Sequence, residues 1–113
     1  MKKPETSFIQ SIHQKLKKLA DPPFIWKIAT RFTNGLPDCL YIGKTGCCLW
    51  VEYKVYPNIA STLQLHQLAQ LLAYNQKVSI ITKTNAIITI NTLQGPIITT
   101  LTPWLWIADT LKP

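Results

Sequence analysis

Only five of the 113 residues are acidic, and two of them, Asp38 and Glu52, stand where a carboxylate is hard to place for free. Asp38 closes the segment Gly35-Leu36-Pro37-Asp38. Glu52 opens Glu52-Tyr53-Lys54 inside the apolar run from Cys47 to Val55. An ionised carboxylate on a buried or half-buried strand is costly unless positive charge compensates it. Lys54 is one compensator and a divalent cation is another. Carboxylate oxygens suit hard cations such as Mg²⁺ or Mn²⁺, whose shell can be completed by a backbone carbonyl (here that of Tyr53), waters and a substrate phosphate. A cation so held lowers the pKa of a bound water and stabilises charge growing on a phosphoryl group. Lys54 adds a point charge at the same place. The chemistry these residues predict is metal-assisted hydrolysis of a phosphodiester.

Bringing Asp38 beside Glu52 requires a hairpin. Residues 37–42 read as a short strand, Gly43-Lys44-Thr45-Gly46 as the turn, and residues 47–55 as a second strand. Period two along that strand puts Cys48, Trp50, Glu52 and Lys54 on one face, so Glu52 and Lys54 project together. Upstream, Phe8, Ile9, Ile12, Leu16 and Leu19 recur at helical spacing and predict a helix over 4–19, opened by Pro4 and stopped by Asp21-Pro22-Pro23. Residues 24–29 read as extended and Thr33-Asn34-Gly35 as a turn. Downstream, a helix is expected over 63–74 with Leu65, Leu68, Ala69 and Leu72 toward the core. A strand over 78–82 follows, parallel to a neighbour through a crossover. Residues 84–102 read as two more strands around Leu93-Gln94-Gly95-Pro96, and 104–111 as a closing helix. The class is α/β, in the order α-β-β-β-α-β before the tail: a mixed central sheet of about five strands flanked by helices, in one domain spanning 1–113.

The twelve basic residues outweigh the five acidic ones by a formal +7, which favours a polyanionic partner and nucleic acid above all. Lys27 and Arg31, just before the Gly-Leu-Pro-Asp turn, are candidate contacts to DNA phosphates, with Lys15, Lys18 and Lys44 beside them. Lys15, Lys17 and Lys18 equally suit a helix C-terminus with no partner at all. No leader and no apolar run of roughly 18 residues is apparent, so no membrane is expected as a partner. A cytoplasmic location, in a bacterial or phage-infected cell, is the expectation. Cys39, Cys47 and Cys48 form an odd set without a CxxC pair and read as reduced thiols. His13 and His66, on amphipathic helices, read as surface or boundary residues. Trp50 reads as core, and Trp104 and Trp106 as candidates for an interface.

On Pro37-Asp38 and Glu52-Tyr53-Lys54 the chain resembles the PD-(D/E)XK nuclease superfamily, and more narrowly its VRR-NUC branch and the Holliday-junction resolvases. In that branch a helix bearing a glutamate precedes a Gly-x-Pro-Asp motif, a Glu-x-Lys strand and a Leu-x-x-x-Gln segment opening the next helix. Glu5, Gly35-Leu36-Pro37-Asp38, Glu52-Tyr53-Lys54 and Leu63-Gln64-Leu65-His66-Gln67 stand here in the same order. The likeness covers about residues 5–82. Residues 83–113 have no counterpart in it and are left as a candidate interface. It implies a restriction-endonuclease-like core and a Mg²⁺-dependent DNA endonuclease (Mn²⁺ as a substitute), structure-specific or site-specific, working as a homodimer. It also implies Asp38 and Glu52 as metal ligands, Lys54 as catalytic, Glu5 assisting metal or water at the site's edge, and Gln67 orienting Lys54 or a phosphate. One departure is the loop 55–62, which lacks the glycine that often follows the lysine. Two other readings fit the residues. One is a nuclease-like fold without cleavage that serves as a DNA-binding or assembly module. The other is a small basic structural protein in which Asp38 caps a turn and Glu52 pairs with Lys54 or Lys27.

Overall fold

Pro4 opens the first helix, α1 (Pro4–Lys17), and Phe8, Ile9, Ile12, His13 and Leu16 form its buried side, the three-and-four spacing of one helical face. The structure is a computed structural model that describes residues 3–28 and 34–113; Arg31 lies outside the described residues. After α1 come β1 (Phe24–Lys27), β2 (Cys39–Ile42), β3 (Cys48–Val55), α2 (Thr62–Ala73), β4 (Lys77–Thr84), β5 (Ile87–Asn91), β6 (Ile98–Thr100) and α3 (Pro103–Thr110).

The six strands form one sheet in the order of the sequence, one strand more than expected because the extended segment at 24–27 joins it as β1. β3 and β4 run parallel, as their crossover through α2 requires, and the other neighbours are antiparallel. Side chains alternate between two cores. Cys39, Tyr41, Leu49, Val51, Tyr53, Ile81 and Ile90 meet α1 and α3 on one face. Val78 and Ile80 meet Leu68, Leu71 and Leu72 of α2 on the other, with Trp50 half-buried among them. Fully burying one such side chain is worth about 1.5–3 kcal/mol. Phe8, Ile9, Ile12 and Leu16 therefore pin α1 firmly, and with it Glu5, one turn ahead of Phe8.

The buried side of α2 is rotated from its expected position. Leu65 and Ala69 are exposed, and the inward side runs through Gln64, Gln67, Leu68, Leu71 and Leu72. A capping box sets this phase: the Ser61 hydroxyl accepts the Gln64 backbone N–H while the Gln64 side chain accepts the Ser61 N–H, satisfying two N–H groups that a helix start leaves open. Trp104 and Trp106 also depart from expectation, since both pack against the core. What the tail leaves exposed is Ile87, Ile97, Leu101 and Leu105. Among the described residues no helix is long and apolar enough to cross a membrane.

Candidate metal centre

Strand register brings the two acids of the motif together. Cys39 pairs with Val51, so Asp38, one step before β2, stands across from Glu52, and residues directly across an antiparallel pair share a face. Lys54 joins them by period two. The Tyr53 backbone N–H, just past the end of the β2 ladder, donates to Asp38 Oδ2 at 2.8 Å. N–H and C=O of one strand residue leave the same side of the strand, so the Tyr53 carbonyl emerges on the side where its N–H meets Asp38. Glu5 arrives from the first turn of α1, which is seated by Phe8 standing edge-on to Tyr53 with ring centroids 5.6 Å apart. One carboxylate oxygen from each of Glu5, Asp38 and Glu52 lies within 4.8 Å of the others.

The charge balance of this cluster is incomplete. Glu52 is 1% exposed. Its Oε2 is 3.3 Å from Lys54 Nζ and accepts Gln64 Nε2 at 3.0 Å, whereas its Oε1 is buried and has no hydrogen-bond partner among the described residues. Leaving a buried acceptor unmade costs about 1–3 kcal/mol, and more when it is charged. Burial, then the Asp38 charge, push the Glu52 pKa up to about 8 against the pull of Lys54. Burial raises Glu5 as well; Lys54 opposes that rise, Asp38 adds to it and Lys3 opposes it. Among the described residues Lys54 is the one cation bonded to Glu52. An all-oxygen donor set in which Glu52 is held back from ionising for want of positive charge fits a hard divalent cation.

The glutamine that reaches Glu52 is Gln64, three residues before the one the motif points to. Gln67, the expected member, is half-buried one turn further along. The signal for Gln64 was present in Ser61-x-x-Gln64, a capping-box pattern that turns the residue back toward the strand before the helix.

The expected basic contacts mostly lie elsewhere. Lys44 sits at the far tip of the β2–β3 hairpin, paired with Asp21 at 2.9 Å and about 20 Å of strand from Asp38. Lys15, with its Nζ 5.4 Å from the Trp104 ring centroid, and Lys18 belong to the end of α1 opposite Glu5, about 15 Å away along the helix. Lys27 alternates onto the α1 face, where its charge acts on His13. Two lysines not singled out from sequence stand closer. Lys3 acts electrostatically on Glu5. Lys83, across from Val55, helps line an open depression of about 400 Å³ with Pro4, Ser7, Phe8 and Asn85. A larger cavity of about 570 Å³, lined by Leu19, Pro22, Leu105 and Leu111 among others, has no lining residue in common with the carboxylate cluster.

His13 corrects the surface reading given to it. It is 7% exposed, its Nε2 is 2.8 Å from the Tyr41 hydroxyl, and that hydroxyl is 2.6 Å from the Tyr53 hydroxyl. Burial, helped by the charges of Lys27 and Lys17, pulls its pKa down to about 4, so the ring stays neutral at pH 7.

Solved structures share this arrangement of strands and helices. A VRR_NUC domain aligns over 71% of this chain and 84% of its own, with a TM-score of 0.59 and 18% identity. Hjc, a Holliday junction resolvase from Archaeoglobus fulgidus, aligns over 88% of this chain and 98% of its own, with a TM-score of 0.57 and 15% identity. The chain shares their fold, restriction-endonuclease-like as expected. Pro37-Asp38 ends the loop before β2 of that fold, and Glu52-Tyr53-Lys54 occupies the second half of β3. The Hjc alignment takes in more than residues 5–82 contain, so part of the tail has a counterpart in a PD-(D/E)XK structure after all. No protein-family model and no curated protein matches the chain by sequence; the likeness is one of fold.

Proposed function

We propose that this protein is a divalent-metal-dependent endonuclease that hydrolyses DNA phosphodiester bonds, acting on branched or otherwise distinctive DNA as a resolvase-type enzyme. The observation that carries this reading is the convergence of Glu5, Asp38 and Glu52 beside Lys54, with Glu52 Oε1 left open. Asp38, Glu52 and the Tyr53 carbonyl would hold Mg²⁺ or Mn²⁺, with Glu5 at the edge of the site. The bound cation would supply Lewis-acid polarisation of the phosphate and a water of lowered pKa.

The remaining work falls to the chain. The Tyr53 N–H holds Asp38 in place, and Gln64 holds Glu52. Glu52 must give up its proton when the cation enters, because the ligating form is the carboxylate. Lys54, anchored on Glu52 Oε2, offers its ammonium to the attacking water or a non-bridging oxygen of the phosphate. Lys3 and Lys83 are placed to meet neighbouring phosphates of the same strand. The whole chain, tail included, acts as one nuclease domain in this reading, in the cytoplasm of a bacterial or phage-infected cell. The exposed Ile87, Ile97, Leu101 and Leu105 support a homodimer; sedimentation showing only monomer at micromolar concentration would remove that part.

The test is cleavage of plasmid and four-way-junction DNA with Mg²⁺, Mn²⁺ or EDTA. Wild type should cut with either metal and not in EDTA. Asp38→Ala and Lys54→Ala should each lose about 10²–10³-fold or more. Activity that survives in EDTA, or in both variants, would overturn the mechanism, and salt-sensitive binding without cutting would identify a non-cleaving DNA-binding module.

A further inference from the structure

The face of the sheet that carries the carboxylates has a second feature. Register places Trp26 opposite Leu40, and Leu40 opposite Trp50, one row along from the row of Ile28, Asp38 and Glu52. Phe24 lies one row further, opposite Ile42. Same-face neighbours along a strand are about 6.7 Å apart and adjacent strands about 4.8 Å. The Trp26 backbone is therefore about 8 Å from that of Asp38 and about 12 Å from that of Glu52. The two tryptophans of the row have opposite surroundings. Trp50 is half-buried in the α2 core and its indole N–H donates to Gln76 at 3.0 Å. Trp26 is 53% exposed and Phe24 62%. Among the described residues β1 is an edge strand of the sheet, and both rings are exposed on it.

We propose that Trp26, extended by Phe24, is a stacking platform for unpaired nucleobases next to the scissile phosphate, and that the substrate therefore carries a single-stranded segment where it meets the duplex. This deepens the endonuclease reading and rests on it. Three observations select the occupant. The aromatic faces and the carboxylates share one side of the sheet at a spacing that a neighbouring nucleotide spans. The chain's formal +7 calls for a polyanion. An aromatic face takes any base by stacking, but bases within a duplex already stack on one another, so only an unpaired nucleotide can lie on Trp26. A flap or a splayed fork provides such a nucleotide, and a fully paired linear duplex does not.

The experiment measures binding of fluorescein-labelled splayed-arm DNA and of a fully paired duplex of the same length, by anisotropy in EDTA, for wild type, Trp26→Ala and Trp26→Phe. Wild type should prefer the splayed DNA. Trp26→Ala should lose about tenfold in affinity for it with little change on the duplex, and Trp26→Phe should recover most of the loss, in line with stacking measured elsewhere by alanine substitution. Equal loss on both DNAs, or no loss on either, overturns the platform. Sedimentation that changes from dimer to monomer in Trp26→Ala would assign the patch to a second copy of the chain and overturn it as well. If wild type shows the expected preference yet never cuts with Mg²⁺ or Mn²⁺, the platform stands and the endonuclease reading fails.

Discussion

Glu52 and His13 are both buried titratable groups, one on each face of the same sheet, and they are completed in opposite ways. His13 closes a chain of hydroxyls, with its Nε2 on Tyr41 and Tyr41 on Tyr53, and the ring is neutral. Glu52 has Lys54 and Gln64 on one oxygen and nothing on the other. A satisfied buried network is a structural device, because each member's desolvation is offset by a partner. A buried carboxylate left half-finished beside two more acids has no such account within the chain. The difference teaches where to look for chemistry: burial alone does not mark a site, and a buried carboxylate left uncompensated beside two other acids does.

Substitution breaks this comparison most sharply. Glu52→Gln should abolish metal-dependent cleavage, about 10³-fold or more, while metal-free thermal stability at pH 7 holds, because Glu52 with its pKa at about 8 is already mostly neutral there, and exceeds wild type only at higher pH. Tyr41→Phe should do the reverse. It leaves His13 Nε2 and the Tyr53 hydroxyl without their shared partner, which should cost about 1–3 kcal/mol, or roughly 4–15 °C in Tm for a domain of this size. Mg²⁺ affinity, measured by calorimetry, should stay within a few-fold. A large loss of Mg²⁺ affinity in Tyr41→Phe would show that the two clusters are not separate.

The pH dependence of metal-free stability should divide the same way. Glu52's folded pKa, about 8, lies above its ordinary value, so its contribution is present at low pH and is lost as pH rises from about 4.5 through 8. His13's folded pKa, about 4, lies below its ordinary value, so its contribution is present above about 6.5 and is lost as pH falls toward 4. Denaturant titrations across this range should show both slopes. Mg²⁺ should reverse the alkaline loss and leave the acid loss untouched; equal rescue of both would refute the assignment.

The smallest effect separates two glutamines. Gln64→Ala removes both the capping-box return to Ser61 and the bond to Glu52, and should cost about 1 kcal/mol with a measurable drop in Mg²⁺ affinity. Gln67→Ala should lie within about 0.5 kcal/mol of wild type and bind Mg²⁺ normally. The opposite order would restore Gln67 to the place the sequence pattern gave it.

Much of this was legible in the chain because it is set by local rules. Period two aimed Glu52 and Lys54 together, Pro4 and Asp21-Pro22-Pro23 bounded α1, and the Gly43–Gly46 turn fixed the hairpin that opposes Asp38 to Glu52. The errors came where tertiary partners decide. His13 sits at a buried position in the 9–12–13–16 spacing, yet its acceptance into the core depends on Tyr41, which is 28 residues away. Charge alone made Lys15, Lys18 and Lys44 candidate DNA contacts, and their distance from the carboxylates is set by helix and hairpin geometry that charge does not reveal. Trp26 gave no signal, since its exposure depends on how far α2 covers the sheet.

The strand order has a consequence for how the molecule comes together. Each strand pairs with its neighbour in sequence, so the sheet can grow by short closures, the longest of them the crossover through α2, and short closures favour rapid folding. Glu5, the hairpin and Gln64 belong to three separate elements and meet only when α1 and α2 are both docked. The repulsion among Glu5, Asp38 and Glu52 is thus absent from early folding and is met only in its last step. A divalent cation in the medium would leave the rate of collapse unchanged and slow the escape from the finished state.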